Sequence, residues 1–438
     1  MVGAGITGLA VAAAISPYFE SVVLVERDTV PEGEGFRPGV PQARHPHGLF
    51  VRGAQALEVL LPGLLKSMEE DGSPTFDLGE HTDMRIRGRT PHRLTLDLQM
   101  QTFTRNFLEY RMRRRVLNIP GIELKDGLVV SGLLHDATSC RIVGIEAHET
   151  HSRAAGANFP RAIYADLVVD ASGRTSKLAH WLSSIGYKPP PPVISDSGLT
   201  YVSCVYPSAE LLTPTCQFAY EFGGTKGAAA LEVENGRMML LMIGTKGDSP
   251  PTNYEGFVEW SKGLTNPIYT KIASSAQPES GMRFYGLTSN RRFNYHQMRR
   301  WPERLIVVGD AQCSFNPVYG QGMTIGILNA LALRDALARN SGTLDRFSRP
   351  FQRRVARMAF EPWMLAISQD AAYVQSSSDI PWSGRIASWY IGRVLDRIPD
   401  NPDLYRTFLQ VFQMTRSPRV LLRPRWLREC ITHPTKIN

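Results

Sequence analysis

The chain has 438 residues, 43% of them hydrophobic and 21% charged, with 37 Gly and 30 Pro. This is more than one hydrophobic core usually supports, so two or more domains are expected, and a disordered chain or a small stapled module is excluded. The formal charge of +8 arises from 49 Lys and Arg against 41 Asp and Glu, and nothing in its distribution calls for a nucleic-acid partner.

Five scattered cysteines, Cys140, Cys204, Cys216, Cys313 and Cys430, contain no C-x-x-C pair. They spell neither a disulfide framework nor a structural zinc site, and they point to a reducing, cytoplasmic compartment. No apolar run reaches the roughly 18 residues needed to cross a bilayer. The apolar opening, residues 1–15, lacks the basic leader of a secretion signal and carries three glycines instead.

Those glycines, Gly3, Gly5 and Gly8, form G-x-G-x-x-G ahead of a small-residue helix over 9–15. A buried parallel strand follows over 22–26, ending on Glu26 with Arg27 next to it. In such a unit the glycines permit a tight turn and close backbone approach to a pyrophosphate, the helix N-terminus favours its charge, and the acid accepts from the adenosine ribose. The strand expected before Gly3 has only Met1 and Val2, although it normally fills the middle of the sheet. The expectation is therefore a natural product beginning further upstream, with this chain less stable and holding a dinucleotide poorly.

Helical spacing appears over 53–61, interrupted at Pro62-Gly63, and over 103–117, where Phe107, Leu108, Met112 and Val116 recur among arginines. A buried strand is expected over 164–171. After the proline run 189–192, strand-like segments at 200–205, 217–222 and 238–243 suggest a separate, largely antiparallel layer. A further buried strand lies over 305–309. From 341 onward, apolar and arginine residues recur at helical spacing, broken by prolines at 362, 381, 399 and 402. Residues 411–438 hold six basic residues, Arg416, Arg419, Arg423, Arg425, Arg428 and Lys436, against Glu429, so a salt-sensitive peripheral contact with an anionic membrane is a further expectation.

Three motifs carry a family resemblance: the glycine turn, Ala165-Asp166-Leu167-Val168-Val169-Asp170-Ala171-Ser172-Gly173-Arg174, and Val308-Gly309-Asp310-Ala311 with Phe315-Asn316-Pro317-Val318-Tyr319-Gly320-Gln321-Gly322-Met323. On these the chain resembles the FAD-dependent group A flavin monooxygenases (para-hydroxybenzoate hydroxylase-like), and within them the microbial natural-product epoxidase and oxidoreductase branch. The resemblance implies an α/β fold. A discontinuous Rossmann-like FAD-binding domain would occupy 1–190 and 301–340, a β-rich antiparallel substrate domain 191–300, and a helical C-terminal region 341–438.

The resemblance also implies roles. Gly3, Gly5, Gly8, Glu26, Arg27, Arg44, Arg105, Asp170, Gly173, Gly309 and Asp310 would bind FAD, while Pro317, Gly320, Gly322 and Met323 would sit beside the isoalloxazine, where a helix opening near Gly322 stabilises negative charge. His47 is a further flavin-side candidate, and His45 and His47 lack the third ligand a metal would need. Arg111, Arg113, Arg114 and Arg115 are expected to face solvent. Asp170 and Gly173 are separated by Ala171-Ser172, where the hydroxylases carry Asp-Gly adjacent; reductase-like and halogenase-like relatives share the separation. The W-x-W-x-I-P signature of flavin halogenases is absent, since Trp363 and Trp382 stand alone.

In this family NAD(P)H reduces FAD and a flavin C4a-hydroperoxide transfers oxygen to an electron-rich ring or alkene. The implied activity is hydroxylation or epoxidation of a hydrophobic small molecule in secondary metabolism, with Tyr201, Tyr220, Phe222 and Tyr285 as pocket candidates. Two alternatives stay open: a flavin dehydrogenase or reductase without oxygen insertion, and a non-catalytic relative.

Overall fold

In the computed structural model the described residues are 1–150, 160–210, 212, 216–223, 225–245, 247–370 and 382–432. Lys436, Pro381 and the side chains of Phe222 and Trp382 lie outside them.

A parallel sheet forms one half of the molecule. Its order is Ile122–Lys125, Val22–Val25, the short segment at Val2, Val168–Asp170 and Leu305–Val307. These runs are rich in Val, Ile and Leu because both sheet faces are covered. Met1–Gly3 occupies the central slot: Val2 N donates to Val169 O at 2.9 Å, Gly3 N to Val25 O at 2.8 Å, Val25 N to Met1 O at 2.9 Å and Ala171 N to Val2 O at 2.9 Å. Three residues thus satisfy the facing backbone groups of both neighbours next to the glycine turn. The helix Ile6–Ile15, almost wholly buried, packs against the long helix Gly322–Arg339. The strand expected over 164–171 resolves into two, Arg161–Tyr164 in an antiparallel three-stranded sheet and Val168–Asp170 in the parallel one.

The second half is a six-stranded sheet ordered Arg283–Tyr285, Leu199–Tyr206, Arg237–Thr245, Lys226–Val233, Phe218–Gly223 and Thr82–Ile86. Its pairings are antiparallel except the last, where Thr82–Ile86 joins in parallel. A strand from within 1–190 therefore belongs to this sheet, and the boundary at 190 is crossed. Alternation along the strands divides two faces. One, with Val202, Cys204, Tyr206, Met238, Leu240 and Met242, packs on the helices Tyr254–Ser261 and Ile268–Ser275. The other, with Leu199, Tyr201, Ala229, Leu241, Ile243 and Tyr285, meets Val318.

Among the described residues the C-terminal region is mostly helical. Pro362 lies in the first turn of Phe360–Asp370, and Pro402 opens Pro402–Phe412, where a missing N–H costs nothing. Its basic side chains are partly answered from within the chain: Arg419 pairs with Glu361 at 3.1 Å and Arg425 with Asp403 at 2.5 Å.

Candidate functional site

A cleft of about 320 Å³ opens at the C-terminal ends of the parallel strands, where open parallel sheets place their ligands. The glycine turn forms its floor, and the three glycines do different work. Gly3 has φ +94°, and a Cβ there would lie 2.7 Å from Ala171 O. A Cβ on Gly8 would collide with the Gly3 carbonyl oxygen. Both are demanded by the fold itself, and Gly8 is not among the cleft-lining residues. Gly5 is different, because its missing Cβ leaves space whose nearest atoms are Arg105 Nη2 at 3.9 Å and Arg37 Nη2 at 4.0 Å. Two guanidinium groups thus face the bare backbone that caps the helix Ile6–Ile15, an arrangement suited to an anion.

These arginines close a row of alternating charges. Glu26 Oε2 accepts from Ala4 N at 2.8 Å and from Arg37 Nη1 at 3.0 Å, while its Oε1 accepts from Asp28 N at 3.1 Å. Arg37 Nη2 donates to Glu109 Oε1 at 2.5 Å, and Glu109 Oε2 lies 3.9 Å from Arg105 Nε. Burial would lower the Arg37 pKa, but Glu109 and Glu26 hold it above the usual value. Arg105 is less well answered. Burial lowers its pKa against the pull of Glu109 and Asp310, and its Nε has no hydrogen-bond partner among the described residues.

Asp310 also lines the cleft, with Pro317, Gly320, Gly322 and Met323. Burial pushes the Asp310 pKa up, opposed by Arg174, Arg105 and Arg291. A Cβ on Gly322 would lie 3.2 Å from Asp310 Oδ1, which places the carboxylate against the first turn of Gly322–Arg339. Gly309, φ +58°, sits behind the cleft on Thr7, a contact that Gly326 shares from the long helix.

Other expected residues divide. Arg27 and Gly173 line the cleft, as do His47 and Tyr285. Asp170 does not; it is 1% exposed and accepts from Ser172 N at 2.9 Å, Ser172 Oγ at 2.5 Å and Ser176 Oγ at 2.5 Å, so it braces the turn that follows it. Arg44 is exposed, stacked over Phe36 at 4.1 Å, and is not among the lining residues. Arg113, expected in solvent, is buried and donates to Pro31 O at 2.6 Å and Gly33 O at 3.0 Å; Arg114 is exposed. Burial and Arg105 press the His47 pKa down to about 3, and burial and Arg44 bring His45 to about 4, so both are neutral near pH 7. Tyr201 stacks on Tyr285 with centroids 5.2 Å apart, behind the cleft wall. Tyr220 packs against the same sheet face.

The sequence reading gave Arg37, Glu109 and Arg174 no role. The spacing of Arg105 and Glu109 at i, i+4 on one helix was available; the meeting of Arg37 with both carboxylates is tertiary. Arg174 donates to Ser289 O at 2.6 Å and Phe315 O at 3.1 Å and lines the cleft.

No protein-family model matches the chain. It is 30% identical over 429 residues to Protein Rv3254 of Mycobacterium tuberculosis, covering 95% of this chain and 89% of that protein. Among solved structures, the flavin-dependent brominase Bmp2 matches with a TM-score of 0.68 at 15% identity, over 94% of this chain and 92% of that one. PqsL, a probable FAD-dependent monooxygenase from Pseudomonas aeruginosa, matches at 0.62 and 15%, over 93% and 97%. The myxobacterial chondrochloren halogenase CndH matches at 0.62 and 16%, over 94% and 95%.

Proposed function

We propose that the chain, which shares its fold with FAD-dependent halogenases and monooxygenases, is a member of the FAD-dependent group A flavoprotein superfamily and an FAD-dependent monooxygenase that hydroxylates or epoxidises a hydrophobic small molecule, with NAD(P)H as electron donor and oxygen as co-substrate. In this reading 1–190 and 301–340 supply a Rossmann-like FAD-binding domain. The observation that carries it is the space over Gly5, bare of a Cβ, faced by Arg37 and Arg105 and completed by a buried Nε without a partner. Those features fit a diphosphate.

Arg105 and Arg37 would hold the diphosphate over the first turn of Ile6–Ile15, a charge-assisted contact. Asp310 would accept from cofactor hydroxyls. Glu26 already accepts from Ala4 N and Arg37, so it fixes the turn and offers the ribose its remaining acceptor capacity. The first turn of Gly322–Arg339 would favour negative charge at the flavin edge. When bound, FAD supplies the electron transfer and oxygen activation. The face formed by Leu199, Tyr201, Ala229, Leu241, Ile243 and Tyr285 would keep water from the reacting atoms and favour an apolar substrate.

The test is purification in the presence of FAD, followed by substrate-dependent oxygen consumption with labelled oxygen. A yellow protein that incorporates label supports the proposal. Substrate oxidation without label moves the assignment to a dehydrogenase, and a protein that takes up no FAD on titration overturns both.

A further inference from the structure

Asp370 closes the helix Phe360–Asp370 and is 1% exposed. Its Oδ2 accepts from Ser195 Oγ at 2.6 Å and from Asn290 Nδ2 at 2.6 Å, and its Oδ1 accepts from the Tyr319 hydroxyl at 2.6 Å. These donors are neutral, and they come from three separate segments, the strand Val193–Ser195, the strand Asn290–Arg292 and the turn Pro317–Tyr319; the Ser197 side chain bonds the same carboxylate.

The network continues into the loop beside the cleft. Asn290 Oδ1 accepts from Asn316 N at 2.7 Å, and Asn316 Oδ1 accepts from Val318 N at 3.1 Å. Gly320, with φ +66°, follows and donates from its N to Pro317 O at 3.0 Å. One carboxylate therefore grips this loop at Tyr319 directly and at Asn316 through Asn290. The strand Asn290–Arg292 also pairs with Cys313–Ser314, the two residues that lead into the loop.

We propose that Asp370 is a positioning residue that sets the loop 316–320, and with it Pro317, Gly320 and the start of Gly322–Arg339, against the flavin edge. This rests on the flavin reading above and adds to it a residue 47 positions beyond the third motif's Met323. Burial raises the Asp370 pKa, and the hydrogen bonds from Ser195, Tyr319, Asn290 and Ser197 oppose that rise by favouring the ionised form. An ionised Asp offers acceptor capacity at both oxygens, whereas Asn has one acceptor oxygen and sets its N–H donors against the Asn290 Nδ2, itself a donor, or against hydroxyls that must reverse their bonds. Bonds to an ionised acceptor are also roughly twice as strong as neutral ones.

The experiment uses the full chain. FAD is titrated into wild type, Asp370→Asn, Tyr319→Phe, the double variant and Leu409→Ala, with binding and the visible circular dichroism of bound flavin recorded together. Leu409 is buried in a separate cluster among the C-terminal helices and serves as a control that lowers melting without touching the loop. Asp370→Asn is expected to weaken FAD about tenfold and to move the flavin dichroic band. Tyr319→Phe should produce part of both changes, and the double variant should be no worse than Asp370→Asn, because the two side chains act as one unit. Leu409→Ala should leave both signals unchanged.

A folded Asp370→Asn with wild-type affinity and an unmoved band overturns the proposal, as does Leu409→Ala reproducing its effects. Should Asp370→Asn not fold, Tyr319→Phe decides: an unchanged affinity and band overturn the proposal. A wild type that binds no FAD is seen before any variant is compared and overturns the flavin reading itself.

Discussion

The glycine-turn side of the cleft and the six-stranded sheet treat their buried charges in different ways. On the glycine-turn wall, Arg105 keeps an Nε without a hydrogen bond and reaches its carboxylate only at 3.9 Å, and burial disfavours the charged form of Asp310. On the sheet side, Glu221 accepts from Thr265 N and Oγ1, each at 2.7 Å, and from Asn266 N at 2.9 Å. Glu234 likewise takes Thr104 N at 2.8 Å, Thr104 Oγ1 at 2.7 Å and Arg237 at 2.7 Å. The first wall holds buried charge that a ligand would complete, at a cost to the protein alone. The second answers these two carboxylates from within the chain and presents an apolar face, on which the buried Tyr201 hydroxyl has no hydrogen-bond partner among the described residues. Under the proposed function, the first would hold the charged cofactor and the second would face a neutral substrate.

The most severe way to break this contrast is at Gly3. Gly3→Ala places a Cβ against Ala171 O in a backbone conformation that L residues rarely adopt; it should cost on the order of 2–4 kcal/mol of stability and abolish FAD uptake, read by thermal melting and flavin absorbance. Next in size, Arg105→Gln should lose about 1.5–3 kcal/mol of FAD affinity, tenfold to over a hundredfold, while the melting temperature without FAD does not fall. Paired titration calorimetry and melting separate the two effects; a drop in melting without a loss of affinity would reverse the assignment of the charged wall.

Asp310→Asn sharpens the contrast through pH. The folded carboxyl has a pKa above its ordinary 3.8, so the folded state holds its proton more tightly, and stability contributed below pH 3.8 is lost as pH rises toward the folded value. The variant lacks this loss. Its melting temperature without FAD should exceed wild type at pH 7 and converge with it in acid, while its FAD affinity falls. The smallest effect is expected on the sheet wall, where Tyr285→Phe should leave FAD affinity within about twofold, since no charge is removed; a larger loss would mean that the sheet, too, holds cofactor.

Much of the parallel half was legible because its cause is local. The strand over 22–25 and the glycine turn appear where residue types dictate, and the helix expected near Gly322 runs Gly322–Arg339. The sheet half was read less completely. Lys226–Val233, rich in Ala and Gly at its start, carries little strand propensity and owes its state to pairing on both sides. The helices Tyr254–Ser261 and Ile268–Ser275 were absorbed into a β-rich expectation. Within the site, Glu26, Arg105 and Asp310 were legible from motif position. The linkage of Glu26 through Arg37 to Glu109, and the reach of Asp370 to Tyr319, join residues 11, 72 and 51 positions apart, and such partners leave no periodic trace.

The central slot of the parallel sheet has a consequence for how the chain is made. Met1–Gly3 is flanked by Val22–Val25 and Val168–Asp170, the latter paired with Leu305–Val307, and the helix behind it rests on Gly322–Arg339. Segments made early are thus fastened by segments made later. At roughly 5–20 residues per second, the apolar stretch Ile6–Ile15 waits on the order of tens of seconds for its covering helix. Nascent copies carry an unburied hydrophobic segment throughout that interval, so the yield of folded protein should respond to chaperone supply and to synthesis temperature more steeply than the stability of the finished molecule would suggest.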